Sequence, residues 1–196
     1  MPYLGTLCLV EHWDEAEREL ANATAPPSSD VTRRYYNRTR AQIYLGQKRY
    51  EEAYRFGLQD PELRPYAALA YAYLSEFEMA HRTLDMAKKT TGDNANTRAK
   101  IFLLEGRYEE AVEAYDRALR LIPVPKALEG LAEALEGIGD YEEAAYFWKK
   151  AISATPFLSE SHLVGLERSL LGYGNADEAA KAHKAIIDLR KKEAVA

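Results

Sequence analysis

Four histidines, His12, His81, His162 and His183, are the side chains best suited to acid–base work or metal binding in this chain. They stand far apart, and none belongs to an HExxH or to a carboxylate cluster with metal-ligand spacing, so they read as surface or packing histidines. Cys8 and His12 have the types of a nucleophile and its base, but no third group is spaced to orient the imidazole. Gly172-Tyr173-Gly174-Asn175-Ala176 echoes a phosphate-binding loop, yet it has no phosphate-loop lysine and joins two helical stretches, which makes it a turn. The carboxylates recur in one repeated phrase rather than as acid–base pairs. No catalytic residue, metal site or cofactor is expected, and the chain is not expected to be an enzyme.

Composition narrows the alternatives. The 196 residues are 47% hydrophobic and 29% charged, enough apolar material to offset chain ordering. No stretch approaches a membrane span, and MPYLGTLCLVEHW has no Lys or Arg before its apolar run, so a cytoplasmic location without a leader is the expectation. A single cysteine leaves no internal disulfide and no thiolate metal cluster. A net charge of −5 weighs against a general nucleic-acid binder.

The elements that carry these residues repeat. An aromatic, two mostly acidic residues and an alanine recur as WDEA at Trp13, YEEA at Tyr50, FEMA at Phe77, YEEA at Tyr108, YEEA at Tyr141 and, weakened, ADEA at Ala176. The spacings are 37, 27, 31, 33 and 35. A large residue four positions after the alanine (Leu20, Leu84, Tyr115, Trp148) and a further alanine seven after it (Ala23, Ala87, Ala118, Ala151) share one helical face. Glycines precede the phrase at Gly106, Gly139 and Gly174, and prolines close units at Pro123 and Pro156. Each unit reads as helix A, a tight turn and helix B, with the aromatic at the start of helix B covering the end of helix A and the acidic pair at the positive end of the helix dipole. Asp140 with Glu143, and Asn175 with Glu178, have capping-box spacing, and Asp30 is placed to cap the helix after Pro26-Pro27. Gly57 stands where a large residue belongs, and the 27-residue spacing predicts a trimmed helix B ending between Gly57 and Asp60.

This pattern resembles the tetratricopeptide-repeat (TPR) family. The unit from Pro125 to Pro156 carries the signature residues Leu128, Leu131, Ala132, Leu135, Gly139, Tyr141, Ala144, Trp148, Ala151 and Pro156, and Leu4-Gly5 falls on the family's Leu-Gly pair. The resemblance implies an all-α fold, a right-handed α-solenoid of about six antiparallel helix hairpins in a single domain. The units fall at 1–29, 30–60, 61–91, 92–124, 125–159 and 160–196.

It also implies that helix A lines a concave groove that grips a peptide or helix of a partner protein, making the chain a non-catalytic adaptor or scaffold. The groove positions are Arg38 and Gln42; Tyr66, Leu69 and Tyr73; Asn96 and Lys100; Lys126, Glu129 and Glu133, with Glu136 beside them; and Arg168. Tyr66 and Tyr73 fit the groove and the seam between repeats equally well. The carboxylate clamp of chaperone adaptors is not matched, because Asn96 and Lys100 stand in reversed order and Glu129, Gly130 and Glu133 occupy positions that need cations. Two other functions fit the same residues. Self-association could use Tyr3, Leu4, Leu7, Leu9 and Val10, left uncovered by a preceding repeat. RNA binding would rest on Arg33 to Arg64, with eight basic residues against four acidic.

Overall fold

The computed structural model describes residue 8 and residues 12–22, 29–87, 92–155 and 159–193. Among the described residues there are eleven helices and no strand. They are α1 (Trp13–Asn22), α2 (Asp30–Gly46), α3 (Tyr50–Gly57), α4 (Arg64–Tyr73), α5 (Phe77–Asp85) and α6 (Gly92–Glu105), followed by α7 (Tyr108–Leu121), α8 (Pro125–Ile138), α9 (Tyr141–Ala154), α10 (Glu160–Gly172) and α11 (Ala176–Glu193). The chain divides into two compact units, Met1–Thr97 and Arg98–Ala196. Within each, consecutive helices pack as hairpins, α2 with α3 and α4 with α5 in the first, α8 with α9 and α10 with α11 in the second.

One turn geometry joins helix A to helix B in all five described hairpins. The residue two before each anchor has a positive φ: Lys48 (60°), Ser75 (63°), Gly106 (78°), Gly139 (85°) and Gly174 (89°). The next residue's N–H reaches back to the last turn of helix A, as in Arg49 N to Tyr44 O at 2.8 Å and Asp140 N to Leu135 O at 2.9 Å. This left-handed closure satisfies carbonyls that the helix end would otherwise leave unpaired. Helix B then starts with its own cap where the side chain allows. Asp140 accepts from Glu143 N and Asn175 from Glu178 N, each at 3.2 Å, as the capping-box spacing predicts. At α2 the cap is Ser29, which accepts from Thr32 N at 3.2 Å, and Asp30 is instead the first helical residue. Helix α3 ends at Gly57, within the predicted range, and Pro65 sits in the first turn of α4, where its missing N–H costs nothing.

At Trp13, Tyr108 and Tyr141 the anchor aromatic packs on helix A of the following repeat, where a glycine four residues before the next anchor leaves room for the ring. A Cβ at Gly46 would lie 2.2 Å from the Trp13 indole, one at Gly137 2.4 Å from the Tyr108 ring, and one at Gly172 2.5 Å from the Tyr141 ring. A second tier lies two turns deeper. Tyr115 presses on Gly130 and Trp148 on Gly165, where an added Cβ would approach to 2.2 and 2.4 Å. Both rings are buried in cores built otherwise of alanine and leucine, among them Leu131 and Leu135 around Tyr115, and Leu166 and Leu170 around Trp148. Burial of such side chains stabilises by about 1.5–3 kcal/mol each.

Between α3 and α4 the sizes reverse. Gly57 occupies the large position of helix B, and its Cβ would stand 2.8 Å from the Ala67 Cβ and 2.9 Å from the Ala67 backbone nitrogen. Tyr73 occupies the small position of helix A, and it stacks on Tyr50 with ring centroids 5.0 Å apart and planes at 12°. Helix α1 packs on α2 of the following repeat through Ala16, Leu20 and Ile43, with Trp13 and Tyr36 half-buried beside them.

Lys48 and Ser75 hold a backbone conformation that disfavours a side chain and suits glycine. Ser75→Gly is expected to stabilise the protein by roughly 0.5–1 kcal/mol, and Gly139→Ala to destabilise it by about 1 kcal/mol, in urea denaturation. A less stable Ser75→Gly would show that the turn is not the strained element.

Candidate functional site

Helix α8 places Glu129, Glu133 and Glu136 at i, i+4 and i+7, on one face. All three carboxylates are engaged by neighbours. Glu133 reaches back to helix A of the preceding repeat, where Lys100 Nζ lies 2.7 Å from its Oε2. Glu129 and Glu136 reach forward to α10. The Glu129 Oε1 is 2.9 Å from Nε2 of His162, a residue only 5% exposed, whose Nδ1 is 2.8 Å from the Ser159 hydroxyl. Because a carboxylate only accepts, Nε2 carries the proton of this bond and Ser159 serves Nδ1. Lys126 stands 3.3 Å from the other Glu129 oxygen.

Glu136, with 10% of its side chain exposed, is the hub of the set. It accepts from Trp148 Nε1 at 3.0 Å, from the Ser169 hydroxyl at 2.5 Å and from Arg168 Nε at 2.8 Å. The same carboxylate thus fixes the ring that fills the second-tier seam and the helix on which that ring presses. Lys149 of α9 and Glu178 of α11 form the corresponding link between helices B at 2.5 Å. Burial pushes the Glu129 carboxyl up, but the His162 hydrogen bond and the charges of Lys126 and His162 outweigh it and hold the group below its ordinary value.

In the first unit Arg49 bridges repeats in the same way, donating to Glu17 of α1 at 2.7 Å and to Glu52 of α3 at 2.5 Å. Gln47, first, and Arg49 hold the Glu17 carboxyl below its usual range. Around α2, Arg33 meets Asp30 at 2.5 Å, Arg34 lies 3.3 Å from Glu62, and Arg40 donates to the Tyr44 hydroxyl at 3.0 Å.

The residues expected to line a groove therefore have distinct placements. In the second unit Lys100, Lys126, Glu129, Glu133 and Arg168 belong to the bonded set just described. In the first unit Arg38 is half-buried and Gln42 exposed on α2, Tyr66 and Leu69 are half-buried on α4, and Tyr73 is stacked on Tyr50 with 39% exposure. Asn96 is half-buried on α6 with its Oδ1 shielded from solvent. Tyr3, Leu4, Leu7, Leu9 and Val10 lie outside the described residues. The roles of His162, Ser169 and Trp148 as polar partners escape a motif search. For His162 and Ser169 the signal is separation, since Glu129 to His162 and Glu136 to Ser169 both span 33 residues, the period of the repeat. Among the described residues no group of three or more His, Cys, Asp or Glu is placed to hold a metal ion, and burial pushes the Cys8 thiol up, away from a reactive thiolate.

The tetratricopeptide-repeat family pattern matches residues 92–123, the hairpin of α6 and α7. The chain has the TPR fold. Solved structures similar to it include MamA from Desulfovibrio magneticus RS-1, 18% identical over 85% of this chain and 98% of that one, with a TM-score of 0.63. MamA MSR-1 is 19% identical over 82% and 98% of the two chains, with a TM-score of 0.61, and MamA AMB-1 is 18% identical over 83% and 94%, with a TM-score of 0.59. At these identities the likeness is one of fold. No curated protein sequence matches the chain. The described TPR helices include none long and apolar enough to cross a membrane.

A carboxyl held below its ordinary value adds stability that is complete above its unfolded-state value and is lost as the pH falls through its folded-state one. Glu129→Gln is expected to cost about 1–3 kcal/mol in urea denaturation at neutral pH. That difference shrinks on acidification through the carboxylate range, as the wild-type Glu129 protonates. A difference that stays constant with pH would contradict this account of the Glu129 bridge.

Proposed function

We propose that the chain is a non-catalytic adaptor whose helix-A faces bind a peptide or helix of another protein. The observation that carries this reading is the cross-repeat bonding of α8, in which Glu129, Glu133 and Glu136 are held by side chains of neighbouring repeats. A surface fixed in this way needs little ordering when a partner arrives, so more of the contact energy appears as affinity. The TPR fold supports the reading, since stacked hairpins present a row of helix-A faces along the array. Exposed apolar side chains remain on those faces for contact. On α10, Val164 and Leu171 flank Arg168 at i, i+4 and i+7, with 37% and 57% of their surface open.

Affinity capture from a lysate of the source organism tests the assignment by comparing two surfaces. The wild type and a Tyr146→Ser variant, altered on the exposed side of helix B, are expected to retain the same partner. A Tyr35→Asp, Val164→Asp, Leu171→Asp variant, altered on helices A, is expected to lose it while keeping its helical circular dichroism. Partner retention by the helix-A variant, or loss by the helix-B variant alone, would reject the helix-A face as the binding surface.

A further inference from the structure

In the second unit each helix A ends, and each helix B begins, on one edge of its hairpin. The turns at 105–110, 138–143 and 173–178 lie side by side there, because Tyr108 seats on Gly137 next to Ile138, and Tyr141 on Gly172 next to Tyr173. These three segments hold eight acidic residues and one basic residue. The helix dipoles do not offset that charge. Each turn joins the negative end of a helix A to the positive end of a helix B, about half an elementary charge of either sign, and the two cancel.

The acids of this edge fall into two groups. Arg107 pairs with Glu110 at 2.7 Å and Glu105 at 3.3 Å, and Lys149 with Glu178 at 2.5 Å. Glu109, Asp140, Glu142, Glu143 and Asp177 are exposed, and none of them forms an ion pair among the described residues. Asp140 accepts from the Glu143 backbone N–H, a neutral donor that leaves its charge in place. Two further cations stand nearby and are engaged elsewhere: Lys150 Nζ lies 4.4 Å from the centre of the Tyr146 ring, and Lys181 acts on Glu178.

The same edge displays apolar area, one side chain to a turn. Tyr108, Ile138 and Tyr173 are 36%, 42% and 43% exposed, although isoleucine is a residue type that is usually buried. An acidic first turn by itself serves its own helix, whereas an apolar side chain beside each one adds contact area left open to water. Tyrosine faces attract guanidinium and ammonium groups, and an arginine fork pairs with a carboxylate in two parallel bonds.

We propose that this turn edge docks a basic segment of a partner protein, its lysine and arginine side chains meeting Glu109, Glu142 and Asp177 and its apolar side chains covering Ile138 and Tyr173. Complementarity of charge selects the occupant, since like charge repels an acidic peptide, a nucleic-acid backbone and an anionic membrane. The edge is a second surface, separate from the helix-A faces of the adaptor reading, and the inference does not depend on that reading.

The test is fluorescence anisotropy with a fluorescein-labelled, lysine- and arginine-rich peptide containing one central leucine. Saturable binding that weakens as salt is raised is expected. It should fall at least ~tenfold for Glu142→Lys combined with Asp177→Lys, and for Ile138→Ser combined with Tyr173→Ser, with helical circular dichroism retained. Asp188→Lys, the same change of charge in the last turns of α11, should leave binding unchanged. A peptide with serine in place of leucine should bind about tenfold more weakly. The proposal is overturned if no saturable binding occurs, if the folded edge variants bind as the wild type does, or if the serine peptide binds equally well. A loss for Asp188→Lys as large as for the acidic edge variant also overturns it, because the attraction is then one of net charge alone. So does a dimer in light scattering that Ile138→Ser with Tyr173→Ser dissolves, for the edge then belongs to a second copy of the chain. Lysate capture through helix A is unaffected by any of these results, so the adaptor reading is judged separately.

Discussion

An aromatic ring seated on a backbone with no side chain to oppose it sets the geometry of this protein. Tyr115 on Gly130 and Trp148 on Gly165 bring helix B of one repeat against helix A of the next more closely than any larger residue would permit. Protein interiors are packed too densely to absorb a misplaced methyl group at such a contact without a shift. The seam therefore fixes where each helix A lies, and everything displayed on helix A inherits its position. Polar chemistry is built around the same contact. Glu136 holds the indole nitrogen of Trp148 and, through Ser169 and Arg168, the helix that the ring covers, so packing and hydrogen bonding specify one arrangement.

This arrangement has a consequence for recognition. The acidic row on α8 has the spacing of a binding surface, but its carboxylates serve cohesion between repeats. Truncating one partner of such a shielded pair leaves the other without its bonds, so variants on this row report stability before they report binding. The first unit follows a different scheme. Its left-handed turns are made by Lys48 and Ser75 rather than by glycine, its α3–α4 seam is a Tyr50–Tyr73 stack beside a small Gly57, and α2 carries four arginines against one acid.

Much of the fold is legible in the sequence because the signals that define a hairpin are local. The aromatic-acidic-acidic-alanine phrase marks the start of every helix B, the capping spacings at Asp140 and Asn175 are realised, and the short interval between Tyr50 and Phe77 corresponds to a helix that ends at Gly57. The seams are harder to read, since their signal is reciprocity of size between positions of adjacent repeats: Tyr115 is informative only when set beside Gly130, and Gly57 only when set beside Ala67. Pairs such as Lys100 with Glu133 or Glu129 with His162 are similarly invisible to a motif search confined to neighbouring residues. They emerge when opposite or complementary side chains are sought one period apart.

The central claim, that ring-on-glycine seams hold the helix-A faces in place, is tested most directly by a double-mutant cycle at Tyr115 and Gly130. Gly130→Ala alone is expected to destabilise the protein by about 1–3 kcal/mol, because the new methyl group meets a buried ring. Combined with Tyr115→Leu, which vacates that space, it should cost less than the two single changes together by at least ~1 kcal/mol. Additivity of the two changes within about 0.5 kcal/mol would contradict the account, for it would mean that the ring and the glycine do not sense one another.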